Sequence, residues 1–324
     1  MRHNDDAYAA MLLTMALSPN KEEYARPCSV QEFRGLEEAA RASRYHSIGR
    51  LLDVDISGLM MHVGLSEEEA YRTYTLLHRS VQLSYALEGY MVEGLDVVTQ
   101  YDDEYPRRLE RKLGASAPPC LYRCGNADIL NRPAIAVMGI SGVKTRPEVR
   151  DAIERLVRGA VRQGFAIITG GELGVSRVAE SLVDQHGGAL LDILGGGMHD
   201  HLKDEVISRM LGEGRCAVLS LEHPDAMFTV SHAIARNKLV FALADAAFIF
   251  STDGHRGEVD ALQNRICDWV YAWEGYPGNR PLIARGARPI EDLSGMDLQA
   301  MSRYWDNSRA EQLNMFDMFA QGQE

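Results

Sequence analysis

An alternation of apolar runs and helical patterns between residues 134 and 273 constrains the fold of this chain more than any other feature. Six runs have strand length, namely Ala134–Met138, Phe165–Thr169, Ala189–Leu194, Cys216–Leu221, Ala246–Ser251 and Trp269–Trp273. Helical patterns separate them at 149–161, 175–186, 201–212, 230–238 and 257–266. Strands joined by crossover helices form a parallel sheet that is covered on both faces. The sequence therefore predicts an α/β fold with a Rossmann-like, doubly wound and mainly parallel sheet.

The parts outside this alternation have different patterns. Residues 1–92 carry apolar positions at helical spacing, and Ser66 followed by three glutamates is typical of a helix N-cap. We predict a small all-helical domain there, of the SAM or helix-hairpin-helix type, either a structural bundle or one that contacts DNA. Residues 93–132 contain turn-forming prolines and are predicted to be a linker that packs on the core. The core is expected at 133–293 and a tail at 294–324.

Composition limits the classes of function. The formal net charge is −12, which argues against a protein that binds nucleic acid with its whole surface. Screening over about 8 Å at physiological salt still permits a local basic patch. Five cysteines, without metal-ligand spacing, indicate reduced thiols, so we predict no metal and no cofactor. The sequence shows neither a membrane-spanning run nor a signal peptide, and we expect a cytoplasmic protein.

Glycines follow the predicted strands at four places. In a doubly wound sheet, ligands bind outside the carboxyl ends of the strands, so these loops should share one edge. The stretch 167–175 runs from a strand through a glycine turn into a helix, which presents backbone N–H groups and a helix dipole to an anion such as phosphate. The candidate phosphate-binding residues in the loops are Gly139, Ser141, Gly170, Gly171, Gly174 and Gly196.

Cations are concentrated in the second half of the chain. Arg236, Asn237 and Lys238 form a short polar run, and a further basic concentration follows them. Each of these basic residues alone fits a solvated surface residue. Together they favour binding of an anionic ligand, with an affinity that depends on salt. The further candidate residues are Arg256, Arg280 and Arg285.

Several of these stretches, in this order, resemble the DprA/Smf family of DNA-processing proteins, whose Rossmann-like core is shared with the LOG nucleotide hydrolases. The stretches are 97–106, 119–125, 137–139, 169–174, 195–197, 228–238 and 278–287. The resemblance implies single-stranded DNA binding without catalysis along the carboxyl-end edge of the sheet. It also implies a homodimer, and assistance to a recombinase during DNA recombination in natural transformation or repair.

The chain departs from the family pattern at its predicted site. The family has an arginine at the position of Ser141, an Asp and a His where Ser176 and Glu180 stand, and a second arginine in place of Lys238. Glu180 is expected to place a negative charge near a bound phosphate and to weaken its binding. These departures motivate a second hypothesis, a DNA- or nucleotide-sensing regulatory or antitoxin subunit of a phage-defence pair with a companion effector. A third is a LOG-type nucleotide hydrolase that uses Glu258.

The C-terminal tail suggests a protein partner. Members of the family often have a winged-helix domain after the position of Gly286, whereas here we expect a tail at 294–324 without a winged helix. Its segment 312–316 is similar to the short peptide by which bacterial repair proteins bind the sliding clamp, and an amphipathic helix on the protein's own surface is the alternative. The candidate clamp-binding residues are Gln312, Leu313, Met315 and Phe316.

Overall fold

The computed structural model describes residues 3–18, 25–140, 146–252, 259, 262–293 and 295–303 of the chain. The chain forms two compact units, and each unit is made of two segments. The first unit comprises Met1–Asn131 and Asp192–Ala242. The second comprises Arg132–Leu191 and Leu243–Glu324. The predicted domain boundaries at residues 92, 132 and 293 remain predictions.

Helices and strands alternate through most of the described residues. The helices are α1 (Asp5–Thr14), α2 (Val30–Ala42), α3 (Ile56–Gly58), α4 (Glu67–Leu77), α5 (Ser80–Val92), α6 (Arg107–Leu113), α7 (Pro147–Arg162), α8 (Val175–Gln185), α9 (His199–Leu202), α10 (Glu205–Gly212), α11 (Val230–Leu243) and α12 (Arg280–Ala284). The strands are β1 (Leu95–Thr99), β2 (Cys120–Gly125), β3 (Ala134–Met138), β4 (Ala166–Thr169), β5 (Leu190–Leu194), β6 (Cys216–Ser220), β7 (Ala246–Ile249), β8 (Val270–Trp273) and β9 (Arg288–Ile290).

The first unit begins with the helical region that the sequence predicts. The predicted N-cap of α4 is confirmed: Ser66 Oγ accepts a hydrogen bond from the Glu69 backbone N–H at 3.4 Å, and Glu69 Oε2 accepts one from the Ser66 backbone N–H at 2.9 Å. Ser29 and Glu32 form the same reciprocal pair at the start of α2. These pairs satisfy backbone donors that a helix start leaves free.

The region predicted as a linker contains two strands of the first unit. Strands β1 and β2 pair antiparallel, and Asp96 lies opposite Arg123. Arg123 Nη2 bonds Asp96 Oδ2 at 2.7 Å and Glu104 Oε2 at 2.6 Å. Asp96 in β1 and Arg123 in β2 interrupt the apolar pattern of these strands. For this reason neither strand is recognisable from hydrophobic periodicity in the sequence. Strand β2 also pairs antiparallel with β6.

The second unit is the parallel part of the fold. Its strands lie in the order β4-β3-β7-β8-β9, and each neighbouring pair is parallel. Strands β3, β4 and β7 are buried along their whole length, and α7 covers the sheet with an apolar face that includes Ile153 and Leu156. The predicted α/β, Rossmann-like class with a helical N-terminal region is thereby confirmed. No helix in the described part of the chain is long and apolar enough to cross a membrane.

Candidate functional site

The carboxyl ends of β3, β4, β7 and β8 lie at one edge of the second unit, because the four strands are parallel neighbours. This is the edge at which doubly wound sheets bind ligands. The loops that leave it carry four of the predicted glycines, Gly139, Gly170, Gly171 and Gly174, and the chain returns to it at Arg280. We call it the carboxyl edge.

Gly139, directly after β3, lies where three loops of this unit meet. A Cβ atom at this position would lie 2.5 Å from Val175 Cγ2 and 2.8 Å from Ser251 Oγ, closer than side chains approach one another. The backbone N–H of Ile140 donates to Ser251 Oγ at 3.2 Å. Since Val175 begins α8 and Ser251 follows β7, the loops after β3, β4 and β7 are in contact, and glycine is required at their junction.

The turn from β4 to α8 has the geometry of an anion site. Gly171 and Gly174 have φ values of 67° and 101°, a region that favours glycine. The N–H of Gly170 donates to Ser176 Oγ and that of Gly171 to Thr169 Oγ1, each at 3.3 Å. These bonds exceed the usual length of about 3.0 Å, and the positive end of the α8 dipole lies beside them. The two N–H groups are thus bonded to side-chain hydroxyls beside the start of α8, where the helix dipole would also favour an anion.

Glu180 does not face this turn as an isolated charge. Its side chain is 1% exposed, and Oε2 accepts from Arg177 Nη1 at 3.1 Å. Thr169 Oγ1 donates to Oε1 at 3.4 Å. The carboxylate is thus paired with a cation three residues earlier on α8, and most of the repulsion expected from the sequence is offset.

Asn279 fixes the loop that brings Arg280 to the carboxyl edge. The Asn279 side chain is fully buried, and Nδ2 donates to the carbonyl oxygens of Ile249, Phe250 and Trp273 at 3.2, 3.3 and 2.8 Å. These carbonyls belong to the ends of β7 and β8. One amide therefore ties the loop to two strand ends, and Arg280 follows it directly.

Arg280 and Arg285, both predicted to bind phosphate, flank the short helix α12. Arg280 is its first residue and is exposed. Arg285 follows its last residue, is also exposed, and donates its backbone N–H to Leu282 at 3.1 Å. Both arginines are exposed, and Arg280 is the one that directly follows Asn279 in the chain.

An arginine and an aromatic ring at the carboxyl edge escaped the sequence analysis. The exposed Arg146 precedes α7, and its guanidinium carbon lies 5.9 Å from the centroid of the Tyr276 ring. This separation is within the range of a cation–π contact. Pro147 in the first turn marks a helix start, so the sequence does place Arg146 at the beginning of α7. The approach of Tyr276 requires the tertiary fold.

The predicted glycine run Gly195–Gly197 lies in the first unit and is packed against a neighbouring loop. A Cβ atom at Gly197 would overlap the carbonyl oxygen of Pro224, and one at Gly196 would lie 3.2 Å from the backbone of Phe228. The N–H of Gly197 donates to the carbonyl of Ala226 at 2.7 Å. Close backbone packing therefore accounts for these glycines, and the assignment of Gly196 to phosphate binding remains a prediction.

The run Arg236-Asn237-Lys238, also in the first unit, contains one buried and one exposed cation. Arg236 is 4% exposed, and its Nη1 lies 3.5 Å from the carbonyl oxygen of Ile193. Asn237 Oδ1 is buried without a hydrogen bond. Lys238 is exposed and lines a cavity of about 710 Å³. Of the two cations, Lys238 alone is accessible to a ligand in this conformation.

A histidine in the first unit is bracketed by two carboxylates. His199 Nδ1 lies 2.6 Å from Asp225 Oδ1, and its Nε2 lies 2.6 Å from Glu93 Oε2. Desolvation lowers the pKa of His199, but the hydrogen bonds and charges of Asp225 and Glu93 raise it by more, so that its pKa lies above the ordinary value. Among the described residues, no group of His, Cys, Asp and Glu side chains has the arrangement of a metal site.

Other predicted residues lie outside the described part of the chain, and their assignments remain predictions. They include two predicted phosphate ligands, the carboxylate of the hydrolase hypothesis and the peptide proposed to bind the clamp. The residues are Ser141, Arg256, Glu258, Gln312, Leu313, Met315 and Phe316.

Comparison with known proteins identifies one family model that matches this chain. A family model described as DNA recombination-mediator protein A matches residues 96–293. The structure of DNA processing protein A from Streptococcus pneumoniae is 19% identical, with a TM-score of 0.55 over 84% of this chain and 98% of that one. The protein of the same name from Helicobacter pylori, whose structure concerns its single-stranded DNA binding mode, is 20% identical, with a TM-score of 0.53 over 66% and 96%. At these identities the two structures establish the fold. A search of curated proteins finds no match.

Proposed function

We propose, for a chain that belongs to the DNA recombination-mediator protein A family, that its role in DNA processing is to bind single-stranded DNA at the carboxyl edge. The observation that carries the proposal is the meeting of three loops at Gly139, beside the start of α8. Arg146, Tyr276 and Arg280 surround the same strand ends with cations and one aromatic ring.

These groups suit the two chemical features of a single strand. Backbone phosphates take cations and N–H donors, and an unpaired base stacks on an aromatic ring. Arg280 and the Gly170–Gly174 turn supply the first kind of contact, and Tyr276 supplies the second. Readout of a base sequence is not required by any of these contacts, so we expect binding with little sequence preference.

We further propose that this binding involves no catalysis. A nucleotide hydrolase would place a carboxylate beside a bound ribose phosphate. Glu180, a carboxylate close to the glycine turn, is buried and paired with Arg177. The purified protein should therefore release no base from a nucleoside monophosphate. Base release that disappears in Glu258→Ala would instead support the hydrolase hypothesis.

The proposed partners follow from the family. We propose a homodimer that assists a recombinase on single-stranded DNA, and the sliding clamp remains a proposed partner of residues 312–316. A regulatory subunit of a defence pair would use the same carboxyl edge, and no feature of the described residues favours it over the recombination role.

The test separates phosphate contact from base stacking. Binding of a fluorescently labelled single strand is measured by anisotropy at several salt concentrations for the parent, Arg280→Ala and Tyr276→Ala. Arg50→Ala is the control, since Arg50 is exposed in the other unit and its loss changes the net charge equally. Arg280→Ala should reduce the slope of log affinity against log salt by about 0.7. Tyr276→Ala should cost about 1–3 kcal/mol with little change in that slope.

The comparison with the control decides the outcome. If Arg280→Ala and Tyr276→Ala bind as Arg50→Ala does, the carboxyl edge is not the DNA site. If the parent binds no single strand at low salt, the proposed function itself is refuted.

A further inference from the structure

The C-terminal half of α7 carries three arginines that the proposed site does not use. Arg155, Arg158 and Arg162 are spaced three and four residues apart and so lie on one side of the helix. Arg158 and Arg162 are exposed, and Arg155 is half-buried. Within the part of the chain that the structure describes, none of the three takes part in an ion pair or a side-chain hydrogen bond.

These arginines stay unpaired although acidic residues are within reach. Asp151 and Glu154 precede Arg155 and Arg158 by four residues, the spacing at which helical ion pairs form. Neither pair is made. Glu148 in the first turn of α7 and Arg162 in its last turn complement the helix dipole, which explains one cation at the end of the helix. It does not explain why three guanidinium groups remain free around one cleft.

The cleft has a volume of about 500 Å³ and is bordered by the arginines and by residues 295–299 of the same unit. Gln163 holds the far wall: its Nε2 donates to the Met296 carbonyl at 2.8 Å, and its Oε1 accepts from the Gln299 N–H at 3.1 Å. Asp297 is the one carboxylate among the lining residues, and its Oδ1 accepts from the Ala300 N–H at 2.8 Å. The cleft is therefore a built surface with excess positive charge in an acidic chain.

This arginine cleft is separate from the carboxyl edge. Helix α7 starts beside that edge at Pro147 and has 16 residues, so it extends about 24 Å at about 1.5 Å per residue. Arg158 lies eleven residues after Pro147, about 17 Å along the axis. The cleft thus lies toward the end of the helix that leads into β4, away from the loops that meet at Gly139.

We propose that the arginine cleft is a second contact for the phosphate backbone of single-stranded DNA, engaged only by strands long enough to extend from the carboxyl edge. Three cations in a row along an open cleft fit a chain of regularly spaced phosphates better than one small anion. The inference rests on the proposed function, because the same strand occupies both surfaces.

The experiment compares two strand lengths and two double variants. Arg158→Gln with Arg162→Gln removes two exposed cations of the cleft, and Arg50→Gln with Arg111→Gln is the control with the same change in net charge, both positions being exposed in the other unit. Each protein is titrated with labelled strands of about 4 and about 30 nucleotides at several salt concentrations. Four stacked nucleotides extend about 10 Å, which is less than the separation of about 17 Å along α7. For the long strand, the cleft variant should lose about 1.4 from the salt slope, at about 0.7 per contact. For the short strand it should match the control.

Each other result overturns the inference. Equal slopes for the cleft variant and the control on the long strand show that the cleft does not contact DNA, and they leave the carboxyl-edge proposal intact. An equal loss on both strand lengths assigns the arginines to a single site and removes the second contact. Failure of the parent to bind either strand refutes both proposals.

Discussion

The junction at Gly139 makes the sharpest prediction for the stability of the fold. A methyl group added in Gly139→Ala would lie 2.5 Å from Val175 Cγ2 and 3.1 Å from the carbonyl oxygen of Ser251, whereas carbon atoms pack at about 3.5–4.0 Å. Val175 is buried at the start of α8, and the Ser251 carbonyl belongs to the backbone, so neither can move without a shift of a loop. Overpacking of this kind costs about 1–3 kcal/mol.

A second glycine of the same unit supplies a control, because its replacement by alanine should change the free energy of unfolding in the opposite direction. Gly159 lies inside α7, and a Cβ atom there would meet nothing within 4 Å. Alanine in a helix interior is favoured over glycine by about 0.5–1 kcal/mol. Gly159→Ala should therefore raise the free energy of unfolding while Gly139→Ala lowers it. Denaturant unfolding of both variants measures the midpoints, and unchanged m-values show that the unfolded state is the same.

A double variant tests the stated cause of the loss. Val175→Ala removes the atom that the new methyl group would strike, at a cost of at least about 1.5 kcal/mol for two lost carbons. In Gly139→Ala with Val175→Ala, the combined loss should be smaller than the sum of the single losses by more than about 0.5 kcal/mol. Additive losses, or a Gly139→Ala protein as stable as the parent, would refute the packing argument.

Three further changes have expected outcomes. Asn279→Ala leaves the strand-end carbonyls without their donor, which should cost about 1–3 kcal/mol of stability and should lower DNA affinity in the anisotropy assay by displacing Arg280. The raised pKa of His199 means that its pairing with Asp225 stabilises the fold below the unfolded pKa of about 6.5 and loses this effect as pH rises through the higher folded value. The stability difference between the parent and His199→Gln should therefore shrink from about pH 6.5 upward in pH-dependent thermal melts. Arg123→Met removes the bonds from Arg123 to Asp96 and Glu104 and should cost about 1.5–3 kcal/mol in denaturant unfolding, while Arg50→Met should leave stability unchanged.

The elements that the sequence predicts correctly are those that a local pattern determines. Strands β3, β4 and β7 are buried on both faces, so they consist of unbroken apolar runs, and the start of α4 is set by Ser66 and a glutamate three residues later. Strands β1 and β2 have no such pattern, because Asp96 and Arg123 offset each other's charge only when the strands pair. A linker is the natural interpretation of that region without knowledge of the pairing.

The same distinction applies to the candidate site. The glycine turn at 170–174 is local and is visible in the sequence, and the structure adds that Gly171 and Gly174 have positive φ. The stacking of Arg146 near Tyr276 and the reach of Asn279 to β7 join residues that are distant in the chain, and no periodic pattern reports them. Arg236 shows the converse error: a basic residue in a polar run is expected at the surface, yet its side chain is buried.

Glu180 has a different effect in the folded protein from the one that the sequence suggests. A glutamate where the family has a histidine suggests a helix that repels phosphate. This holds only if the Glu180 carboxylate is an unpaired charge. The structure pairs it with Arg177 at 3.1 Å and buries it against Thr169. Because the opposite charges of Arg177 and Glu180 offset each other at a distance, a phosphate at Gly170–Gly174 meets an ion pair and not a single negative charge. The departure at Glu180 therefore changes which groups hold the turn in place more than it changes the charge that a ligand encounters.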